Sequence, residues 1–226
     1  MLRSCIIRSL CTSNQVWVII SDTQTFHTKM ITFIKILKYE LNPKNKDIFE
    51  YLSDVTSQKI NPQSLELGML AVQSGIVLYS PLEHAKGCIK RTAGIDHREV
   101  VELREIPFDL KKLCTKEEWV DRKSEVVRER FKKAFIADTL MIKRKQLFEE
   151  VESLLRLCVR FHETYDNVTV VSHSFRLKLI EAYLGTDGKI KDNPELIHQY
   201  VFNNRKTYEF GRGFAISSKL EVIEVF

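Results

Sequence analysis

Along the chain, apolar residues alternate between runs short enough for buried strands and longer stretches at helical spacing. Residues 16–20, in "VWVIISDTQT", predict a short buried strand that ends abruptly at Ser21-Asp22-Thr23. In "HTKMITFIKILKYELN", Ile31, Ile34, Leu37 and Leu41 recur at helical spacing and predict a helix. "KINPQSLELGMLAVQSG" predicts another, with Asn61 as cap, Pro62 in the first turn and Gly75 as its stop. "IVLYS" is a second strand, "PLEHAKGCIKRTAG" a helix ending at Gly94, and "REVVELREI" a third strand. Two charged segments, residues 116–137 and 143–164, carry helical periodicity and are expected to flank the sheet as a cap. "NVTVVSHSFRLKLIEAYLG" predicts strand, turn and helix, and the tail a β-hairpin turning near Gly211 to Gly213. Strands separated by helices imply an α/β fold in three layers, with a mainly parallel central sheet and an antiparallel edge near the C-terminus. Residues 15–226 form one domain on this pattern, with a helical insertion around 107–164, preceded by an N-terminal extension over 1–14 without fixed structure.

Composition narrows the function classes. The 226 residues are 44% hydrophobic with only 8 Gly and 5 Pro, enough to bury a sizeable core. A net charge of +5 favours anionic ligands at long range but is too small to imply nucleic acid. Five scattered cysteines without a C-x-x-C pair suggest reduced thiols in a cytoplasmic protein. No apolar run approaches the roughly 20 residues that span a bilayer, so no membrane association is expected. "MLRSCIIRSLCTSN" has two Arg and no acid, so a mitochondrial presequence is the alternative to a plain extension.

Three strand ends carry the chemistry: "IISDTQT", "LYSPLEHA" and "VVSHSFRL". With "VELREIPF" between the last two, their order resembles the histidine phosphatase superfamily, whose members share the phosphoglycerate mutase-like fold. That family reads apolar strand then R-H-G-[EQ]-T, later S-P-L-x-R-A, L-x-E and finally S-H-G. The second block is close here in Ser80-Pro81-Leu82-Glu83-His84-Ala85, L-x-E matches at Leu103 and Glu105, and the last block keeps Ser172-His173.

Phosphoryl transfer through a covalent intermediate needs a neutral imidazole to attack phosphorus, guanidinium donors for the equatorial oxygens and an acid for the leaving oxygen. The resemblance implies that only two of these groups survive, His173 and Glu105. The first-motif Arg, His and Gly fall on Ser21, Asp22 and Thr23; the second-motif Arg falls on His84, and the last Gly on Ser174. A carboxylate about 4 Å from a bound phosphate repels each unit of charge by about 4 kcal/mol at an effective dielectric of about 20. The expectation is a degenerate histidine phosphatase-like protein serving as a binding or interaction module. Its ligand pocket would be built from Ser21, Asp22, Thr23, His84 and Ser174, and would take a phosphorylated or anionic small ligand or a protein partner. The alternative is a phosphomonoester hydrolase with a reassigned site using His173 and Glu105, in which Lys86, Arg176 or Lys178 restores the positive charge.

Plainer roles stand beside these. Asp22 suits the cap of a helix beginning near Gln24, and His84 and His173 suit hydrogen-bonded imidazoles at the core or rim. Glu105 suits a solvated charge near a strand end. His27 lies too far along the chain to replace a nucleophile at Asp22. "DRKSEVVRERFKK" suits a solvated helix face. Asp22-Thr23-Gln24-Thr25 faintly resembles the D-x-D-x-T loop of aspartyl phosphotransferases, but Gln24 takes the second acidic position. No metal-ligand cluster, glycine-rich phosphate loop or G-x-S-x-G elbow occurs, so no cofactor or metal is expected.

Overall fold

The computed structural model describes residues 9–12, 15–20, 30–36, 47–58, 69–72, 75–82, 85–86, 95–122, 124–203, 208–209 and 211–225. Its strands are β1 (Ser9–Thr12), β2 (Gln15–Ile20), β3 (Met30–Lys35), β4 (Met69–Val72), β5 (Ile76–Tyr79), β6 (Asp96–Glu99), β7 (Asn167–Ser172), β8 (Gly213–Ile216) and β9 (Val222–Val225). Six of them form one sheet in the order β6-β5-β7-β3-β8-β9. The first four of that order run parallel, and β8 and β9 add an antiparallel edge. The predicted α/β class and the antiparallel edge are therefore both present.

Both faces of this sheet are buried. Ile31 and Phe33 of β3 join Val168 and Val170 of β7 in a core shared with the Arg144–Thr164 and Ser174–Gly185 helices. Ile34, Val77 and Val171, at alternate positions and so on the other face, are also almost fully buried. A strand covered on both sides has no polar alternation, which explains the main departure from the sequence reading. The segment expected as a helix around Ile31 and Ile34 is strand β3, the centre of the sheet. Its β-branched and aromatic run Ile31-Thr32-Phe33-Ile34 suits an extended backbone, and the i, i+3 coincidence of two isoleucines misled the periodicity.

Several boundaries also differ. The strand expected at 16–20 exists as β2, but it pairs with β1 and β4 in a separate three-stranded sheet. Ser9–Thr12, inside the stretch expected as an extension, is strand β1. Of the helix predicted to stop at Gly75, Asn61 and Pro62 lie outside the described residues and Met69–Val72 is strand β4, and Gly75 adopts φ +93° ahead of β5. The third strand lies earlier than expected, at β6, and Val101–Leu103 is a single 3-10 turn. The charged segments are helical as predicted, in Lys116–Arg122, Ser124–Ile136 and Arg144–Thr164. The β7 strand and the helix after it also stand where predicted. No helix among the described residues is long and apolar enough to cross a membrane.

The C-terminal hairpin turns at residues 217–221 rather than at the glycines, with the Ser217 N–H donating to Glu221 O and the Leu220 N–H to Ser217 O. Gly211, at φ +76°, instead turns the chain into β8, where its N–H reaches Lys35 O at 3.1 Å. Gly213 serves the approach of β8 to β3. A Cβ there would stand 1.7 Å from Phe33 O, and the adjoining Phe33 and Phe214 rings stack at 4.8 Å. Gly213→Ala is therefore predicted to cost about 3 kcal/mol or more, read as a lowered urea midpoint. An unchanged midpoint would show that β8 can retreat without loss.

Candidate functional site

Strands β5, β7 and β3 end side by side. Tyr79 is in register with Val171, and Lys35 with Ser172. One residue further, the Ile36 N–H donates to Ser172 O at 2.8 Å, and the Ser80 N–H to Val171 O at 3.3 Å. Ser80, His173, Lys35 and Ile36 thus occupy one carboxyl edge of the sheet, where open α/β sheets bind ligands. His173 precedes the first turn of the Ser174–Gly185 helix, and Glu105 follows the Val101–Leu103 turn.

Two of the sequence-predicted groups meet here. His173 is 7% exposed; its Nε2 shares a 2.8 Å hydrogen bond with Ser80 Oγ, and its Nδ1 lies 4.0 Å from Glu105 Oε2. The longer contact is electrostatic and beyond hydrogen-bond reach. Glu105 is hemmed in by protein yet keeps 36% of its side chain accessible. Burial pushes its carboxyl above the usual carboxylate range, against the opposing pull of the Ile106 N–H, Arg176 and Lys35. Burial lowers the Lys35 ammonium, against the pull of Glu105 and Glu209. The Lys35 Nζ donates to Tyr208 O at 2.8 Å.

Ser80, His173 and Glu105 have the order of an acyl-transfer triad but not its geometry. Ser80 is completely buried, its Oγ accepts from the Leu82 N–H at 3.4 Å, and Glu105 is too far to hold Nδ1. What the set can do is hold an imidazole in a fixed orientation beside a carboxyl and an ammonium.

The segment bearing Glu105 is fastened through three consecutive carbonyls. Leu103 O accepts from Ser172 Oγ at 2.9 Å, Arg104 O from Arg176 Nε at 3.1 Å, and Glu105 O from Gln58 Nε2 at 2.7 Å. Arg176 is 0% exposed, and its Nη2 reaches Glu150 Oε2 at 2.9 Å, while Arg104 takes Glu150 Oε1 at 3.0 Å. Arg176 Nη1 is buried with no hydrogen-bond partner. Burial lowers the Arg176 guanidinium from its ordinary value, and Glu150 and then Glu105 oppose that effect.

Of the other predicted positions, Ser174 opens the helix after His173. Ser21, Asp22, Thr23 and His84 lie outside the described residues, as do Gln24 and His27. The strand that Ser21 follows is not hydrogen-bonded into the six-stranded sheet, so the tip beside His173 belongs to Lys35 and Ile36. Lys86 pairs with Glu99 at 3.1 Å, and Lys178 donates to Val201 O at 3.4 Å. Sequence reasoning missed Lys35, Ser80 and Gln58. Only the β-branched run ahead of Lys35 offered a signal. Among the described residues no group of His, Cys, Asp or Glu could hold a metal ion.

No protein family's sequence profile matches the chain, and no curated protein does. Two solved structures are similar. One, a candidate alpha-ribazole-5′-P phosphatase from Escherichia coli, is 18% identical over 83% of this chain and 90% of that chain, with a TM-score of 0.47. The other, the alpha-ribazole phosphatase from Shigella flexneri, is 16% identical over 87% of this chain and 95% of that chain, with a TM-score of 0.48.

Two outcomes follow from this geometry. Arg176→Met removes a buried ion-pair partner and is predicted to cost about 3 kcal/mol. Equilibrium denaturation measures it, and a loss below about 1 kcal/mol would refute the role given to the Arg104, Glu150 and Arg176 ion cluster. Glu105→Gln has the opposite sign at neutral pH. A carboxyl whose folded pKa is raised contributes stability that is complete below its unfolded value and lost as pH rises through the folded one. The glutamine variant should match the wild type near pH 4, and exceed it at pH 7 by about 1 kcal/mol, kept small by the carboxyl's partial exposure. A variant less stable than wild type at pH 7 would contradict the desolvation.

Proposed function

We propose that this chain is a degenerate relative of the histidine phosphatases that binds an anionic or phosphorylated small molecule without turning it over. Two features support the reading: the order of S-P-L, L-x-E and S-H, and their placement around one sheet edge. The observation that carries it is Ile36. In the family pattern an arginine and the attacking histidine follow an apolar strand. Taking β3, the strand beside β7, as that strand gives the two places to Lys35 and Ile36 rather than to Ser21 and Asp22, which lie outside the described residues. Ile36, 3% exposed, has no lone pair with which to attack phosphorus.

His173 does not replace the missing ring in this reading. Its Nε2 is engaged by Ser80 Oγ, and Glu105, 4.0 Å from Nδ1, is beyond hydrogen-bond reach of the ring. Lys35 keeps one positive charge where the family has a guanidinium, but as a point charge without a bidentate fork. Such a pocket retains attraction for an anion and lacks the donors that stabilise the transition state.

The runner-up is a phosphomonoesterase with a reassigned site, favoured by the closeness of Lys35 and Arg176 to Glu105. An aryl phosphate assay on wild type and His173→Ala separates the two. The expected outcome is equal background release from both, with no phosphohistidine trapped after incubation with a phosphodonor. Turnover that disappears with His173 would establish the hydrolase.

A further inference from the structure

We infer that a second site, away from His173, takes a free apolar α-amino acid: a cavity beside the C-terminal hairpin holds its side chain, and Glu152 and Arg156 hold its two charges. The cavity measures about 390 Å³, toward the low end of the roughly 300–1,000 Å³ of small-molecule sites. It lies between the Arg144–Thr164 helix, Tyr183 near the end of the Ser174–Gly185 helix, and Leu220 in the hairpin turn. Tyr183 is ten residues beyond His173, about 15 Å along the helix at about 1.5 Å per residue, so the site stands apart from the sheet edge. Leu155, Val159 and Leu220 form its apolar walls. Leu220 adopts φ +63°, a left-handed conformation that is costly for a bulky side chain and free for glycine. The turn therefore keeps a leucine for its side chain, which lines the cavity and packs, partly buried, on the core.

On the polar wall, Glu152 Oε1 accepts from the Tyr183 hydroxyl at 2.9 Å and from Lys191 Nζ at 3.2 Å. Those bonds hold the Glu152 carboxyl below the usual carboxylate range, so it is ionised at neutral pH. The Tyr183 hydroxyl, pushed up to about 12 by burial and then by Glu152, keeps its proton. Oε2 instead faces Arg156 Nη1 at 3.9 Å, beyond hydrogen-bond reach, and the Arg156 side chain is 70% exposed. Among the described residues no other polar group bonds Oε2 or that guanidinium. An acid and a base thus stand side by side at the rim of an apolar cavity, neither hydrogen-bonded to the other. They match the two charged groups on the α-carbon of a free amino acid: Oε2 accepts from the ammonium, and Arg156 donates to the carboxylate. A ligand with one charge satisfies one partner and is repelled by the other.

L-Leucine, 3-methylbutylamine and 4-methylpentanoate share one branched chain and differ only in charge, while glycine keeps both charges without the chain. Isothermal titration of the full chain is expected to show leucine binding about tenfold or more tightly than each of the other three. Arg156→Gln, at an exposed position that leaves the fold intact, should weaken leucine about tenfold without weakening 3-methylbutylamine. Leu220→Gly suits the left-handed turn and should bring leucine down to the affinity of glycine. The inference is overturned by an absence of leucine binding, by a single-charge analogue that binds as tightly as leucine, or by leucine affinity that survives in either variant.

Discussion

Everything at this sheet edge depends on how the peptide from Leu103 to Glu105 is held. Its three successive carbonyls accept from Ser172, Arg176 and Gln58, which come from β7, from the helix after it and from the end of the Ile48–Thr56 helix. A peptide gripped by three separate segments cannot rotate without breaking bonds to all of them. The grip requires a fully buried guanidinium, whose desolvation costs several kcal/mol unless charge and hydrogen bonds offset it. Glu150 supplies the charge, bridging Arg176 to Arg104, and Arg104 O supplies a further acceptor. A hydrophobic side chain at 176 would fill the space without this penalty. Its use here fixes the spacing between Glu105 and His173, since Arg176 sits on the first turn that follows the imidazole.

That fixed frame then meets a changed strand tip. In parallel sheets the residues just beyond neighbouring strands lie within reach of one another, so β3 decides what faces His173. It delivers Lys35, half-buried and tied to Tyr208 O, and then an isoleucine packed out of solvent. An ammonium on a flexible stem attracts an anion but offers less geometric discrimination than a guanidinium fork. The frame fixes the acid and the imidazole, and the residue that follows β3 beside them is part of the core.

How much of this was legible in the sequence varied with burial. Elements with one wet face announced themselves: the 21-residue Arg144–Thr164 helix buries Leu147, Val151, Leu154 and Cys158 on one stripe and leaves charges outside. Strand β7 was legible because turn residues and Ser172-His173 bound it. Strand β3 was not, since a run buried on both faces carries no period and can pass for a helix. That one misassignment hid Lys35 at the tip of β3. Glu105 and His173 were found because their motifs are local in sequence. The Ser80–His173 bond, the role of Gln58 and the Arg104, Glu150 and Arg176 cluster were hidden because the partners lie 93, 47 and 26 to 72 residues apart.

The retained carboxyl bears on whether an anion can bind at this sheet edge at all. An ionised Glu105 about 4 Å from a ligand charge opposes it by about 4 kcal/mol at an effective dielectric of about 20, roughly what Lys35 at equal distance returns. Burial raises the Glu105 carboxyl and so weakens that repulsion relative to a solvated carboxylate, while burial lowers the Lys35 ammonium against the pull of Glu105 and Glu209. The charge that this sheet edge presents is therefore set by desolvation of both groups, and the apolar surroundings of Glu105 matter as much as the cations beside it.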